Sequence, residues 1–289
     1  MRTSQWLAWT LLATPLLAQE RVEERRAAAK DGRVEIENPA GSVTVIGWDK
    51  AEVAVTGTLG RGAEGLSLSG GGRTTRIEVE TSHNPFGTLS DLEIHVPNGS
   101  RVEIESFAAG IKVSEVKGGV HANTVKGDIS VTGAAKEVEL ETVSGSLEIS
   151  GSPSRVRAQS VNGRVAIHGG GGDIEASTVN GELLLDGLSC EACRFETVNG
   201  DLRFEGSLGP RANLEAQSVS GTVELRLPGD VSAEFSVTTW SGEVENELGP
   251  AARKASRYTP SKELRFSTGA GGARVEVETM SGTVRLKKR

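Results

Sequence analysis

Aromatic side chains are scarce, at 4% of 289 residues. That weakens a carbohydrate-stacking reading, because sugar sites use flat rings as platforms. Basic excess is also missing: the net charge is -7 with both signs interspersed, which argues against nucleic acid as a partner. Four histidines, His83, His95, His121 and His168, are scattered without metal-ligand spacing. The GGGGD run at 169–173 does not recur, so it builds no calcium-binding repeat. No catalytic, cofactor-binding or metal site is assigned.

Long hydrophobic runs are absent beyond the first residues, so nothing later in the chain can cross a bilayer as a helix. Residues 1–18, MRTSQWLAWTLLATPLLA, carry one Arg, a short apolar run and a closing Ala18. This predicts a cleaved secretory signal peptide, too short for a span, and a mature protein that is periplasmic or extracellular. Gln19 and not a cysteine stands directly after the cut, which leaves a lipoprotein anchor unsupported. Residues 19–31, QERVEERRAAAKD, suit a charged, solvated linker or a short helix.

Glycine is abundant, with 37 residues, and eight of them mark one recurring phrase. The copies centre on Gly127, Gly145, Gly163, Gly181, Gly200, Gly221, Gly242 and Gly282, spaced by 18, 18, 18, 19, 21, 21 and 40 residues. Such a period predicts a solenoid. Positions seven, five and two before the glycine and two after it are apolar, as in Val138, Leu140, Val143 and Leu147, while six and four before are polar. Alternation of this kind reads as two short strands bent at a Ser/Asn-Gly corner, where glycine takes angles that other residues avoid. One unit cannot bury enough to hold itself together, so the units stack and share a core to which Val143, Val161 and Val179 contribute.

Stacking turns sequence positions into columns. Three before the glycine, Thr124, Thr142, Ser160, Thr178 and Thr197 begin a hydroxyl column that continues to Thr279; one before it stand Asn162, Asn180 and Asn199. Both read as structural ladders. Six before it, His121, Glu139, Arg157, Glu175, Arg194 and Glu215 alternate in sign, an ion-pair ladder that sets register and argues against catalysis there.

The fold expected is all-β, a parallel β-helix or β-solenoid of about ten turns of 18–21 residues, right-handed by the usual crossover sense. It spans 32–289, with irregular first turns over 32–110, regular repeats over 111–248 and looser last turns over 249–289. A left-handed hexapeptide coil also has 18 residues per turn, and Val125, Val131, Val143, Ile149, Val161 and Ile167 recur at six, but Glu137 and Arg155 break its third side.

Together, IENPAGSVTVIGWDKAEVAV, LEIHVPNGSRVEIES, the serial T-V-x-G-x-L/V copies and VELRLPGDVSAEFSVTTWSGEV resemble the bacterial putative adhesin family of β-strand-repeat proteins over nearly the whole mature chain. The resemblance implies a β-helical domain outside the cytoplasm, with adhesion suggested by the family name and no catalytic residues to transfer.

Two features carry candidate chemistry. Cys190 and Cys193, in LSCEACRF, are expected to close a small disulfide or to lie buried; a catalytic CxxC would want a helix start beneath it, and this one sits among strands. Glu182 and Asp201, one after the glycine in adjacent turns, form an acidic pair, as do Glu224 and Glu245. Carboxylates stacked at ~5 Å could serve a retaining glycosidase or hold a cation.

The leading functional expectation is a non-enzymatic secreted or periplasmic scaffold that binds a cell-envelope or surface ligand. The alternatives are a polysaccharide-active lyase or hydrolase, and a fibre protein assembling end to end through uncapped turns.

Overall fold

The computed structural model describes residues 20–60, 62–81, 89–254 and 260–289. The expected signal peptide and His83 lie outside them. Among the described residues there are nineteen strands and no helix, so none that could cross a membrane. In chain order they are β1 Glu20–Trp48, β2 Glu52–Leu59, β3 Ala63–Thr81, β4 Ser90–Pro97, β5 Arg101–Ser114, β6 Gly119–Lys126, β7 Ile129–Gly133, β8 Glu137–Ser144, β9 Leu147–Gly151 and β10 Arg155–Asn162. Then come β11 Val165–His168, β12 Gly171–Asn180, β13 Leu183–Asn199, β14 Leu202–Leu227, β15 Ala233–Thr239, β16 Glu243–Asn246, β17 Arg253–Lys254, β18 Lys262–Thr268 and β19 Ala273–Lys288.

Pairing is mostly parallel and in register with the repeat, so the fold is a solenoid-like stack. Val120, Val138, Val156, Ile174, Cys193 and Leu214 lie side by side in successive layers, each at most 3% exposed. Past the corner Ile129, Leu147, Val165, Leu183 and Leu202 do the same. Each layer gives its neighbour both ladder hydrogen bonds and an apolar surface, which a lone turn lacks.

Conformational freedom is not what selects glycine at most corners. Among the eight, only Gly127 and Gly221 have a positive φ, 139° and 128°. What they share is close approach: a Cβ on Gly145, Gly163, Gly181 or Gly200 would collide with the carbonyl oxygen of the glycine one layer below.

Layer order departs from chain order at both ends. The last strand, β19, lies between β14 and β15/β16: Gly221 pairs with Gly282, and Val277 with both Ala216 and Val237. The 40-residue gap before Gly282 is therefore an excursion. The chain skips one layer, builds β15 and β16, lays β18 antiparallel on β15, and returns to fill the space.

At the other end β1 lies between β5 and β3/β4, and its first residues, Glu20–Ala27, pair antiparallel with β2. This corrects the expected linker or helix over 19–31, whose residues from Glu20 onward are strand. Charge along this run reflects an exposed ribbon at the margin of the sheet, where charged side chains discourage further pairing. Antiparallel strands thus cover both ends of the stack, where the fibre alternative supposed uncapped turns.

Candidate functional site

Ahead of each corner the strand keeps strict period-two parity. Positions seven, five and three before the glycine point in, and six, four and two before it point out. The hydroxyl column is consequently interior: Thr124, Thr142, Ser160, Thr178, Thr197 and Ser218 are 3–6% exposed. Thr124, Thr142, Ser160 and Thr178 donate to the carbonyls of Lys126, Gly127, Gly145 and Gly163. Thr197, Ser218, Thr239 and Thr279 are buried without a hydrogen-bond partner.

The same parity turns the next column outward, against the expectation that it joins the core. Val125, Val143, Val161, Val179, Val198 and Val219 are 37–44% exposed, and Met280 and Trp240 at the end of the row 60% and 62%. The valines do lie one above another, but in water. The row reaches further back, because Asn38 pairs with Ser106 and Ser106 with Thr124. Pro39 and Phe107, the latter 42% exposed, therefore occupy the same step. At ~4.8 Å per layer the stripe is on the order of 40 Å long. Contiguous exposed apolar side chains, unlike scattered ones, mark interaction surfaces.

Its two borders differ. On the corner side Asn180 donates to Asn162 at 2.9 Å, Asn199 to Asn180 at 3.1 Å and Ser220 to Asn199 at 2.9 Å, a neutral ladder that holds the corner in register. On the other side, four before the glycine, run Glu37, Glu105, Asn123, Glu141, Gln159, Ser177, Glu196, Gln217, Glu278 and Thr238. This row holds carboxylates and neutral groups and no cation. Towards the C-terminal end it and the stripe enclose a groove of about 600 Å³, with Val179, Val198, Val219, Trp240 and Met280 facing Glu196, Gln217 and Glu278.

In the next row out, acids face Arg or His in the neighbouring layer. His121 Nδ1 lies 3.1 Å from Glu139, Arg157 2.8 Å from Glu175 and Arg194 3.0 Å from Glu215. Arg155, in the row beyond, bridges Glu137 and Asp173 at 3.7 and 3.6 Å.

Of the expected acidic pairs, Glu182 and Asp201 stand in adjacent layers and Glu224 and Glu245 do not. Glu182 is 3.5 Å from Arg164, and Asp201 Oδ1 accepts the Thr222 backbone N–H at 2.7 Å, as Asp128 accepts that of Ser146. Each carboxylate is engaged within the ladder. Glu224 and Glu245 are not neighbours, because the insertion of β19 puts Arg285 between them.

Glu224 is nearly buried, 2.7 Å from Arg226 and 3.1 Å from Lys287, with Arg203 at 3.7 Å. Burial pushes its carboxyl pKa up, but hydrogen bonds from Lys287 and Arg226 outweigh that and hold it below the ordinary value. Cys190 and Cys193 are disulfide-bonded with Cα atoms 5.9 Å apart and both side chains buried, Cys193 within the core column.

Sequence reasoning found the stripe residues but assigned them to the interior. The signal that places them outside was available: a polar hydroxyl at three before the glycine in every copy, with parity carried through it.

Residues 172–287 match the family described as Toastrack DUF4097. No curated protein matches the sequence. A putative adhesin from Parabacteroides distasonis is 10% identical, with 93% of this chain and 98% of that chain covered and a TM-score of 0.54. A putative adhesin from Bacteroides fragilis is 7% identical over 93% and 98% of the two chains, with a TM-score of 0.46. The first of these shares the fold with this chain.

Proposed function

We propose, for a solenoid-like stack whose residues 172–287 match the Toastrack DUF4097 family, a non-enzymatic, adhesin-like binding scaffold at the cell envelope. The observation that carries the reading is the apolar stripe from Val125 to Trp240, whose side chains stay exposed in every layer. A row of solvated valines costs solubility and contributes little to the core, so its recurrence in layer after layer is explained by an external contact. The names of structurally similar proteins support adhesion as the kind of contact. We read the coil as right-handed with about ten turns of 18–21 residues, its leader over 1–18 removed, and the mature protein as periplasmic or extracellular.

The test is retention of purified protein on cell-envelope fractions, wild type against Val143→Ser/Val161→Ser/Val179→Ser. Retention by the wild type and its loss in the variant, with melting unchanged, is expected. Equal retention of the two proteins, or none by either, overturns the reading.

A further inference from the structure

We propose that the stripe docks a basic, amphipathic polypeptide segment, apolar along one face and edged by lysines or arginines. This rests on the reading of the stripe as a binding face and names its partner.

Charge is the ground for it. In the regular repeats, the rows eight and six before the glycine on this face of the stack pair acid with base, from Glu137 to Glu215. The row bordering the stripe differs: Glu37 reaches Arg76 at 4.0 Å and Glu141 acts on Arg157 through space, but among the described residues Glu105, Glu141, Glu196 and Glu278 make no ion pair within 4.0 Å, and the row itself holds no Lys or Arg. Along the stack Glu141 follows Glu105 by two layers, Glu196 follows by three and Glu278 by two more. The separations are therefore on the order of 10–14 Å. Two residues of extended strand, about 7 Å, separate this row from the stripe. A partner that sets aliphatic side chains on the valines thus presents its flank to a row that carries carboxylates and no cation of its own, and complementarity calls for cations there.

Other occupants fit less well. A second copy of this chain, paired antiparallel about a twofold axis, brings the same acidic row against itself; paired parallel, it offers the Ser/Asn row. Neither supplies a line of cations. An anionic bilayer is repelled by the row, and a glycan meets branched aliphatic side chains along most of the stripe instead of flat rings. The backbone of each layer is spent on its neighbours, so the partner binds through side chains and not as an added strand.

The probe is a synthetic helix-forming peptide of about 20 residues, ~30 Å long, with leucines on one face edged by lysines, alongside a twin carrying glutamates in place of lysines. Binding to the full chain is read by anisotropy of a labelled peptide. The lysine peptide is expected to bind and its twin to bind at least about tenfold more weakly. Glu141→Gln/Glu196→Gln/Glu278→Gln should weaken the lysine peptide about tenfold and flatten its salt dependence.

A charge-matched control away from the stripe, Glu148→Gln/Asp186→Asn/Glu191→Gln, should leave affinity within about twofold. Glu196→Gln alone serves if the triple variant fails to fold. Equal loss in the two triple variants means non-specific polycation binding and overturns the proposal. So does absence of binding, or concentration-dependent self-association abolished by Val161→Ser, which would make a second copy the occupant. If the peptide fails while envelope retention still depends on the valines, the partner is wrong and the binding face stands.

Discussion

Arg285 stands between Glu224 and Glu245, paired with the first in β14 and the second in β16, its Nε 3.0 Å from the Glu245 carboxylate. Chain order would put those two carboxylates in adjacent layers. The last strand separates them because all three C-terminal repeats share one in/out pattern, and β19 matches β14 on one side and β15 on the other. Introduced cysteines at Ser220→Cys and Ser281→Cys should crosslink, since neighbouring parallel strands bring Cα atoms within disulfide reach. Ser220→Cys with Ser241→Cys should not, and mass spectrometry of the oxidised proteins distinguishes the two.

Glu224 should make the chain acid-sensitive. Its folded pKa is depressed, so its contribution is present above the unfolded carboxylate value and is lost as pH falls through the folded one. Glu224→Gln is expected to cost about 1–3 kcal/mol at pH 7, because Arg203, Arg226 and Lys287 lose their shared partner. At low pH the gap to wild type should shrink, as read by denaturant unfolding at both values. A constant gap contradicts this.

The hydroxyl column should divide in two. Thr178→Val removes a donor that satisfies the Gly163 carbonyl and is expected to cost about 1 kcal/mol. Thr197→Val removes a buried hydroxyl with no partner and should be neutral or stabilising. Paired melting curves check the difference.

Corner glycines should resist any side chain. Gly163→Ala drives a Cβ onto the Gly145 carbonyl and is expected to cost about 1–3 kcal/mol or more. Gly110→Ala, with nothing nearby, should cost far less. Denaturant midpoints of the two variants decide it.

Much of this architecture was legible in the glycine spacing and in the alternation around it, since the core column from Val120 to Leu214 follows from period two alone. The stripe is harder to place, because apolarity reads as burial at Val143 while parity through Thr142 points it outward. The insertion of β19 was not legible. Repeats with the same inward pattern can be layered in more than one order, and only pairing chooses among them. Nor was the strand over Glu20–Ala27, because alternating charge on an exposed ribbon reads like a linker.

Chemical blocking of the stripe is the most direct measurement. Val161→Cys, treated in the native state with a bulky polar maleimide, should label as fast as Glu148→Cys, and only the adduct at 161 should abolish retention on envelope fractions. Slow labelling at 161, or full retention by its adduct, would contradict the claim that an outward apolar row is the binding face.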